Sequence, residues 1–389
     1  MAVKRHVTAM LLIAPLTLFL AIFFCWPLAT ILTQAVSDPA VSRALPATAA
    51  AMKGWDGASP PTARMNEALV EDLRAVSDEQ VLGDLVRRLN GARAGFRTLM
   101  MRTVSSVSET SGRVDLVEVD PRWGLPEYWQ TIVNLLPPYT DRYILAAVDL
   151  TRDASGSIVE IPADDSANAP ILWRTFVVAA TVTASCLFVG YPFAMLAISV
   201  TGWKRNLLMA AVLLPLITSL LVRTAAWYIL LQDQGLINDF LRWAGITDTP
   251  LHLLFNRLGV IVAMTHILLP FMVLPIYSNL KSIPENLMPA AASLGADRFH
   301  AFRLVLLPLS LRGIASGSLL VFITAIGYYI TPALIGGPKD QMISSVIAFY
   351  GAGSANWGMA GALSLVLLVI TVALYAVYIN VASDAEEHP

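Results

Sequence analysis

The sequence has few of the residues on which metal and redox chemistry depend. Its 389 residues include only 2 cysteines and 5 histidines. Both cysteines, Cys25 and Cys186, lie inside apolar runs, which excludes a disulfide framework and a CxxC metal site and favours small buried hydrophobic side chains. No histidine occurs between His6 and His252, so histidine-based metal sites and catalytic triads are excluded from the long segment between them.

Charged residues are equally scarce. They make up 14% of the chain, against 56% hydrophobic residues, whereas soluble domains average about 25% charged and about 45–50% apolar residues. Together with a mean hydropathy of +0.63, this composition indicates a membrane protein. The net charge of -2 leaves no basic surplus for nucleic acid. No G-x-x-x-x-G-K-[ST] phosphate loop occurs, and IGGPKD at 335–340 indicates only a turn, so ATP hydrolysis is expected in another chain.

Six apolar runs are long enough to cross a bilayer, which takes about 20 residues. The first follows VKRH, as a signal peptide would, but its apolar core exceeds the roughly 7–15 residues of a signal peptide and no small-x-small cleavage site follows promptly. We therefore expect a retained helix. The runs are Thr8–Leu32, Phe176–Val200, Leu207–Leu231, Leu258–Tyr277, Ile314–Leu334 and Met359–Val381.

Basic residues in the short loops predict the orientation of the chain. The loops on one side carry most of the lysine and arginine, and the positive-inside rule places that side, with both termini, in the cytoplasm. The basic residues of that side are Lys4, Arg5, Lys204, Arg205, Lys281, Arg298, Arg303 and Arg312, whereas the opposite short loops carry Arg242, Arg257 and Lys339.

A long segment with the composition of a soluble domain, 38–170, separates the first two runs. Apolar residues recur at helical spacing through its 65–101 part, while VDLVEV (114–119) and GSIVEI (156–161) alternate as short strands do. We therefore predict a large α+β insert, and the orientation places it outside the cytoplasm. Without cysteines it must be stabilised by its own small core or by packing on the membrane part.

Between the fourth and fifth runs, MPAAASLGADRFHAFRLVLLPLS at 288–310 is short and semi-polar. Proline is tolerated in a first helical turn, so a helix is expected to begin at Pro289. Gly295 supplies the left-handed residue that ends this helix, and Asp297 caps a second helix, Arg298–Leu306. We predict two helices at an angle, the first with a surface so small that another protein can approach closely.

The spacing A-A-x-x-x-G-x(9)-[IV]-x-L-P within this segment resembles the EAA loop of ABC-importer permeases. In that family the loop inserts into a groove of the cytoplasmic ATPase subunit and transmits the closure that ATP drives. One departure is Pro289, which stands at the position of the family's glutamate, so no contact of that glutamate can be transferred to this chain. The resemblance implies an ATPase-coupling role for Ala290, Ala291, Gly295, Asp297, Val305, Leu307 and Pro308.

A second block resembles the spermidine/putrescine-type permeases. It is PLITSLLVRTAAWYILLQDQGLINDFLRWAGI at 215–246, accompanied by VGYPFAMLA at 189–197 and LLPFMVLPIYSNLKSIP at 268–284. The resemblance covers the first helix and 171–381 but not the insert. It implies an all-α integral membrane protein of the bacterial inner membrane, with six transmembrane helices and the type I ABC-importer permease fold.

That resemblance also implies an assembly. The partners are expected to be a second permease subunit or a copy of this chain, two ATPase subunits that bind ATP and Mg²⁺, and a periplasmic solute-binding protein. No cofactor and no nucleic acid is expected on this chain. We expect the first helix within 1–37, the insert at 38–170 and a five-helix permease core at 171–389, with the coupling loop at 282–310.

Five residues are candidates for the translocation path or a gate. Arg223 is either an internal structural pair or gate, or a side chain that reaches the lipid headgroups. His266 is either a satisfied core histidine or a residue that lines the path. Trp227 and Tyr329 suit a path for a cation or an aromatic belt at the membrane interface, and Asp233 is expected at the outer mouth.

Two other classes of function stay open. A proton-coupled secondary transporter places acids and histidines at membrane depth, but none of the six runs contains an internal Asp or Glu. A membrane-anchored extracytoplasmic enzyme would need a pair of carboxylates in the insert, since histidine and cysteine are lacking there. For a permease, polyamines, opines and other amino-acid derivatives are all candidate substrates.

Overall fold

The structure, a computed structural model, describes residues 12–110, 112–153, 157–162 and 166–387. These residues are predominantly helical. Their contacts divide the chain into two compact units, Met1–Ile144 and Leu145–Pro389. Each unit has an apolar core of its own.

The first unit contains one long apolar helix followed by a cluster of shorter helices. Polar residues set several of the starts: Thr62 and Asp78 each precede a helix and accept a hydrogen bond from an amide of its first turn. The helices are α1 (Leu12–Gln34), α2 (Ala40–Ala44), α3 (Pro46–Ala51), α4 (Ala63–Ala75), α5 (Glu79–Ala92), α6 (Phe96–Glu109), α7 (Leu116–Val119), α8 (Pro126–Leu135) and the first residues of α9 (Arg142–Ala147), with a 3₁₀ turn at Pro121–Gly124.

The second unit contains a short antiparallel pair of strands and the remaining membrane helices. The strands pair with Leu150 opposite Glu160 and Thr151 opposite Val159. The elements are β1 (Leu150–Arg152), β2 (Ile158–Glu160), α10 (Asn168–Ser199), α11 (Gly202–Ile217), α12 (Leu220–Leu230), α13 (Leu236–Trp243), α14 (Arg257–Ser282), α15 (Leu287–Ser293), α16 (Arg298–Gly327), α17 (Ile330–Ile335), α18 (Ile343–Gly353) and α19 (Trp357–Glu387), with a 3₁₀ turn at Pro338–Asp340.

Five of the described helices are long and apolar enough to cross a membrane: α1, α10, α14, α16 and the first 20 residues of α19. The third predicted run, Leu207–Leu231, is not one continuous helix. It is divided into α11 and α12, which are bent by 103° and count as a sixth span only when taken together. The break follows Pro215, which lacks an amide proton, and the Ser219 hydroxyl caps the new helix at Val222.

The fifth predicted run is also shifted. The structure extends this helix back to Arg298 and ends it at Gly327, seven residues before the predicted end at Leu334. Tyr328 has an extended backbone, with ψ of 124°, so the chain breaks before the separate helix α17. Apolar composition alone does not distinguish one long helix from two helices joined by an extended residue.

Helix α14 is the centre of the second unit. Within its apolar 18-residue stretch, 56% of the residues are buried, a larger share than in any other described span. Glycines on both neighbours permit close approach. A Cβ added at Gly190 of α10 would lie 3.1 Å from Cγ of Met272, and one added at Gly313 of α16 would lie 2.7 Å from Cβ of Asn279. Small residues are typical of close helix contacts in membranes, and here they fix α10 and α16 against α14.

The two predicted buried cysteines differ in the structure. Cys186 is buried, and its thiol lies 3.4 Å from the carbonyl oxygen of Thr265 on α14. Cys25 is exposed on α1, so the prediction that it is buried is wrong. A membrane helix can turn apolar side chains outward to lipid, and an apolar neighbourhood in the sequence therefore does not imply burial in protein.

The helical cluster of the first unit has a core built around two tryptophans. Trp123 and Trp129 are both fully buried, with their rings 5.3 Å apart. The indole N–H of Trp123 donates to the Thr103 hydroxyl at 2.8 Å, and that of Trp129 donates to the Trp123 carbonyl at 2.9 Å. Large aromatic area and satisfied polar atoms thus stabilise this cluster without disulfides.

The insert is more helical than predicted. VDLVEV does not form a strand: its last four residues form α7, because the Asp115 carboxylate accepts a hydrogen bond from the amide of Val117 and starts a helix. GSIVEI does contain a strand, β2. The predicted segment 38–170 therefore consists of a helical cluster in the first unit and a small strand pair in the second.

The helical cluster leaves and rejoins the chain at adjacent points. Ser37 and Tyr139 form an antiparallel bridge, and the amide of Asp38 donates to the carbonyl of Pro138 at 2.9 Å. The Asp38 side chain is almost completely buried there and pairs with Arg88 at 3.2 Å. We call this closure, residues 36–38 and 138–140, the neck of the insert.

Candidate functional site

A helical hairpin, 287–306, joins α14 to the membrane-crossing part of α16. Its first helix, α15, begins two residues before the predicted start, and Pro289 lies in the first turn, where its missing amide proton costs no hydrogen bond. Gly295 has φ of 90°, which confirms the predicted left-handed turn. Across that turn the amide of Ala296 donates to the carbonyl of Ala291 at 3.1 Å. The turn sets the angle between the two helices.

Asp297 fixes the start of the second helix. Its carboxylate accepts hydrogen bonds from the amides of Phe299 and His300 at 2.8 and 2.9 Å, which confirms the predicted cap. The imidazole of His300 also contacts this carboxylate, at 2.7 Å. The amide of His300, followed by its side chain, lowers the pKa of Asp297 below its ordinary value of 3.8. The cap is therefore charged at neutral pH.

The tip of the helical hairpin exposes large apolar side chains. Leu294 is 90% exposed and Phe299 is 66% exposed. Ala290 is exposed and Ala291 is half-buried on the same short helix. These residues combine large apolar side chains with a small-residue surface, which a groove of another protein can cover closely.

The base of the hairpin continues into α16 without a break. Phe302–Leu306 forms a π-helical segment, whose wider turn accommodates the missing amide proton of Pro308 in the next turn. Val305 and Leu307 are half-buried here. The ring of Phe302 packs against Tyr191 of α10, with centroids 6.1 Å apart. The base of the hairpin is thereby continuous with α16 and in contact with α10.

A second group of functional candidates lies on α12 and α14. The indole N–H of Trp227 donates to Nδ1 of His266 at 3.1 Å. Arg223 lies one turn before Trp227 on the same helix, α12. Nε of Arg223 is buried and has no hydrogen-bond partner among the described residues. We call Arg223, Trp227 and His266 the Trp227 group.

The structure does not bring the other two path candidates into bonded contact with this group. Asp233 pairs instead with His252, at 3.0 Å, and both side chains are exposed. Tyr329 is half-exposed in the break between α16 and α17, where its carbonyl accepts from the Ser345 hydroxyl at 3.2 Å. Of the five candidates, the structure thus joins only Trp227 and His266 by a hydrogen bond.

Sequence reasoning missed the hydroxyl contacts that hold this region together. The hydroxyls of Thr224 and Thr331 lie 3.0 Å apart and join α12 to α17. Ser344 donates to the carbonyl of Tyr328 at 2.6 Å, and the amide of Ile343 donates to the Thr175 hydroxyl at 2.8 Å. Threonine and serine in apolar runs have no periodic signal, so only the structure identifies these contacts.

Comparison with known proteins identifies the family of the chain. The family model described as "Binding-protein-dependent transport system inner membrane component" matches residues 170–385. The spermidine/putrescine transport system permease protein PotB of Escherichia coli is 34% identical over 208 residues, which cover 54% of this chain and 76% of that protein. PotB of Haemophilus influenzae is 34% identical over 257 residues, which cover 64% and 89%.

Two further matches are more distant. The inner membrane ABC transporter permease protein YdcU of Escherichia coli is 33% identical over 228 residues, which cover 55% of this chain and 72% of that protein. A chain of a bacterial alginate ABC transporter crystallised with its periplasmic protein matches at 21% identity and a TM-score of 0.44, over 54% of this chain and 76% of that chain; this structural likeness is too weak to bear on function. The family match spans more than half of the sequence, and the chain therefore belongs to the binding-protein-dependent transport inner membrane components, the non-enzymatic permease subunits of ABC importers.

Proposed function

We propose that this chain couples ATP hydrolysis in separate ATPase subunits to the import of a small cationic solute, a polyamine or a related amino-acid derivative. The observation that carries the proposal is the helical hairpin, with an exposed apolar tip and a base continuous with α16. A soluble binding protein delivers the solute. A second permease subunit, or a copy of this chain, completes the path.

The coupling mechanism follows from how the hairpin is attached. ATP closes the ATPase dimer, and the groove that holds Leu294 and the alanines of α15 moves. Because α16 begins in the hairpin and packs on α14 through Gly313, the movement reaches α14 and the His266 that it carries. The helices then open toward the loaded binding protein. In this mechanism the docking element consists of Ala290, Ala291, Gly295 and the Asp297 cap. Its base consists of Val305, Leu307 and Pro308.

The proline at the position of the family's glutamate alters the docking chemistry. Pro289 is exposed in the first turn of α15 and offers no charge. We therefore infer that docking rests on apolar contact through Leu294 and Phe299, which are 90% and 66% exposed. Burial of a large apolar side chain contributes about 1.5–3 kcal/mol, which is enough for a hot spot in such an interface.

The cationic nature of the solute is supported by two observations. The similar proteins from Escherichia coli and Haemophilus influenzae are named as spermidine/putrescine permeases. Trp227 and Tyr329 offer aromatic faces that attract cations, and no acid lies inside the membrane runs to hold a polycation tightly. Weak holding suits a permease that leaves selection to its binding protein.

The side of the membrane on which each part lies follows from the basic loops. We infer that the helical hairpin and both termini are cytoplasmic, and that the insert is periplasmic. The helical cluster of the insert is then on the side of the membrane from which the binding protein approaches. Its mixed surface charge suits polar docking, so we infer that it widens the docking platform for the binding protein or covers the mouth as a lid.

The hairpin is tested in the reconstituted complex with its ATPase subunits. Leu294→Ser removes an apolar side chain that makes little contact within the chain, and Ala291→Glu places charge and bulk on the small face of α15. We expect both to lower solute uptake by about tenfold or more, while the protein stays folded in the membrane. Ser293→Ala, a neighbouring exposed position, serves as the control. Unchanged uptake and unchanged solute-stimulated ATPase activity in both variants would remove the docking role.

A further inference from the structure

The short helix α13 presents a strongly apolar outer face. Leu236, Phe240 and Trp243 follow one another along one side of the helix and are 71%, 59% and 82% exposed. Ile246, 64% exposed, comes just beyond the helix end. The rings of Phe240 and Trp243 lie 5.8 Å apart. An exposed apolar surface of this size is typical of a site that is covered by lipid or by another protein.

The rotation of α13 is fixed from its opposite side. Asn238 is fully buried, and its Nδ2 donates to the carbonyls of Gln232 and Leu251, both at 3.0 Å. Its Oδ1 accepts from the amide of Leu251 at 2.8 Å. Ile237 packs on the core of the same unit. These contacts prevent the helix from turning its apolar face inward, so the exposure is a built-in feature of the fold.

The place of α13 in the chain favours lipid as the cover. It lies between the end of α12 and the start of α14, and α14 ends at the helical hairpin, so α13 is on the opposite side of the membrane from the hairpin. The connection 231–235 reaches at most about 18 Å at roughly 3.6 Å per residue. The helix therefore cannot move far from the end of α12.

The composition of α13 supports the same cover. Asp239 and Arg242 form an ion pair of 2.5 Å at the edge of the apolar face, and both are about half-exposed. Helices that lie in the membrane interface combine a wide apolar face with a charged one, and tryptophan is enriched at that depth. The apolar exposure also continues into Phe255 and Leu258 at the start of α14, both 58% exposed.

We propose that α13 is an interfacial anchor. Leu236, Phe240, Trp243 and Ile246 insert into the boundary between headgroups and acyl chains, while Asp239 and Arg242 stay at the headgroups. The anchor holds the end of α12 at a fixed depth. Since α12 carries Arg223 and Trp227, this end of the path stays in place while the hairpin moves α14 and α16.

The anchor is tested by the depth of spin labels in the assembled transporter. Trp243→Cys and Ile246→Cys are made in a background of Cys25→Ser and Cys186→Ala, labelled, and reconstituted with the ATPase subunits in lipid nanodiscs. Asp239→Cys, on the charged edge, is the matched control. For each spin label, the rate of collision with oxygen, which concentrates in the acyl region, is compared with the rate of collision with a water-soluble nickel chelate.

The account predicts that labels at 243 and 246 collide more with oxygen than with the nickel chelate, and that the label at 239 shows the reverse. Preferred collision with the nickel chelate at 243 and 246 would show an aqueous face and overturn the anchor. Protection from both reagents would show that a protein covers the face, either a second permease subunit or the binding protein, and would overturn it equally. Two labelled positions keep the test valid if one variant fails to assemble.

Discussion

The indole N–H of Trp227 donates to Nδ1 of His266 at 3.1 Å and so joins α12 to α14. Because this nitrogen accepts, the imidazole is neutral and carries its proton on Nε2. The two rings meet edge to face, with centroids 5.4 Å apart. The bond therefore fixes the direction in which the indole presents its face, beside the charge of Arg223.

Breaking the bond between Trp227 and His266 is predicted to raise the KM for uptake of the solute. His266 is exposed, and His266→Leu removes the acceptor of the indole N–H and frees the ring to reorient. His266→Asn places Oδ1 close to the position of Nδ1 and should retain most of the function. We expect the KM for uptake to rise about tenfold in the leucine variant and to stay near normal in the asparagine variant. Equal values for the two variants would contradict a positioning role for His266.

Close packing of α16 on α14 gives a second prediction. A Cβ at Gly313 would lie 2.7 Å from Cβ of Asn279 and 3.1 Å from Cα of Ile276, whereas a Cβ at Gly327 meets nothing within 4 Å. Gly313→Ala should therefore destabilise the protein by about 1–3 kcal/mol through overpacking, and Gly327→Ala should have little effect. Unfolding in detergent, followed by circular dichroism, measures both. Equal midpoints for the two variants would refute the close contact.

The stability of the insert is predicted to depend on pH through the ionisation of Asp120. The Arg122 guanidinium, 2.8 Å from the buried carboxylate, lowers the pKa of Asp120 from 3.8 to about 2. A depressed folded-state pKa stabilises the fold fully above 3.8, and this contribution is lost as the pH falls through about 2. Asp120→Asn should thus cost on the order of 1–2 kcal/mol at pH 7.

Hydrogen exchange of the α6 and α8 amides in the full chain tests this dependence. The difference between wild type and Asp120→Asn should be largest at neutral pH and should shrink below 3.8, the ordinary value for this group. Asp84→Asn removes an exposed ion pair with Arg87 and should change little at any pH. A gap between wild type and Asp120→Asn that widens on acidification would contradict the assigned cause.

The neck permits a clean deletion of the insert. Because Ser37 and Tyr139 are bridged, residues 39–137 can be replaced by a short glycine–serine linker without stretching the chain. If the insert takes part in docking, the apparent affinity for loaded binding protein should fall while basal ATPase activity in detergent survives. The same linker inserted after Ser59, in an exposed loop of the intact chain, is the control. Unchanged affinity and uptake in the deletion would leave the insert as a passive spacer.

Local signals in the sequence predicted the turn of the hairpin and the cap that follows it. Glycine is the residue that adopts φ of 90° without strain, and aspartate caps a helix from a fixed position, so Gly295 and Asp297 could be assigned from chemistry alone. The membrane spans could be predicted from the length of the apolar runs in the sequence. The break between α11 and α12 did not, since Thr218 and Ser219 are compatible with both a helix and an extended link.

Features that depend on tertiary contact could not be predicted. VDLVEV has the alternation of a strand, but the Asp115 cap and the packing of Leu116 select a helix. The bond between Trp227 and His266 joins residues 39 positions apart, and no local pattern links them. The orientation of α13 likewise depends on Asn238 finding its partners at Gln232 and Leu251.

The source of energy for uptake tests the central claim most directly. The chain is reconstituted in liposomes with the ATPase subunits and its binding protein, and uptake is measured for a panel of labelled polyamines and opines. The account predicts uptake that requires hydrolysable ATP and the binding protein, that is lost in Ala291→Glu, and that a proton gradient does not replace. Uptake by this chain alone, driven by a proton gradient without ATP, would contradict it.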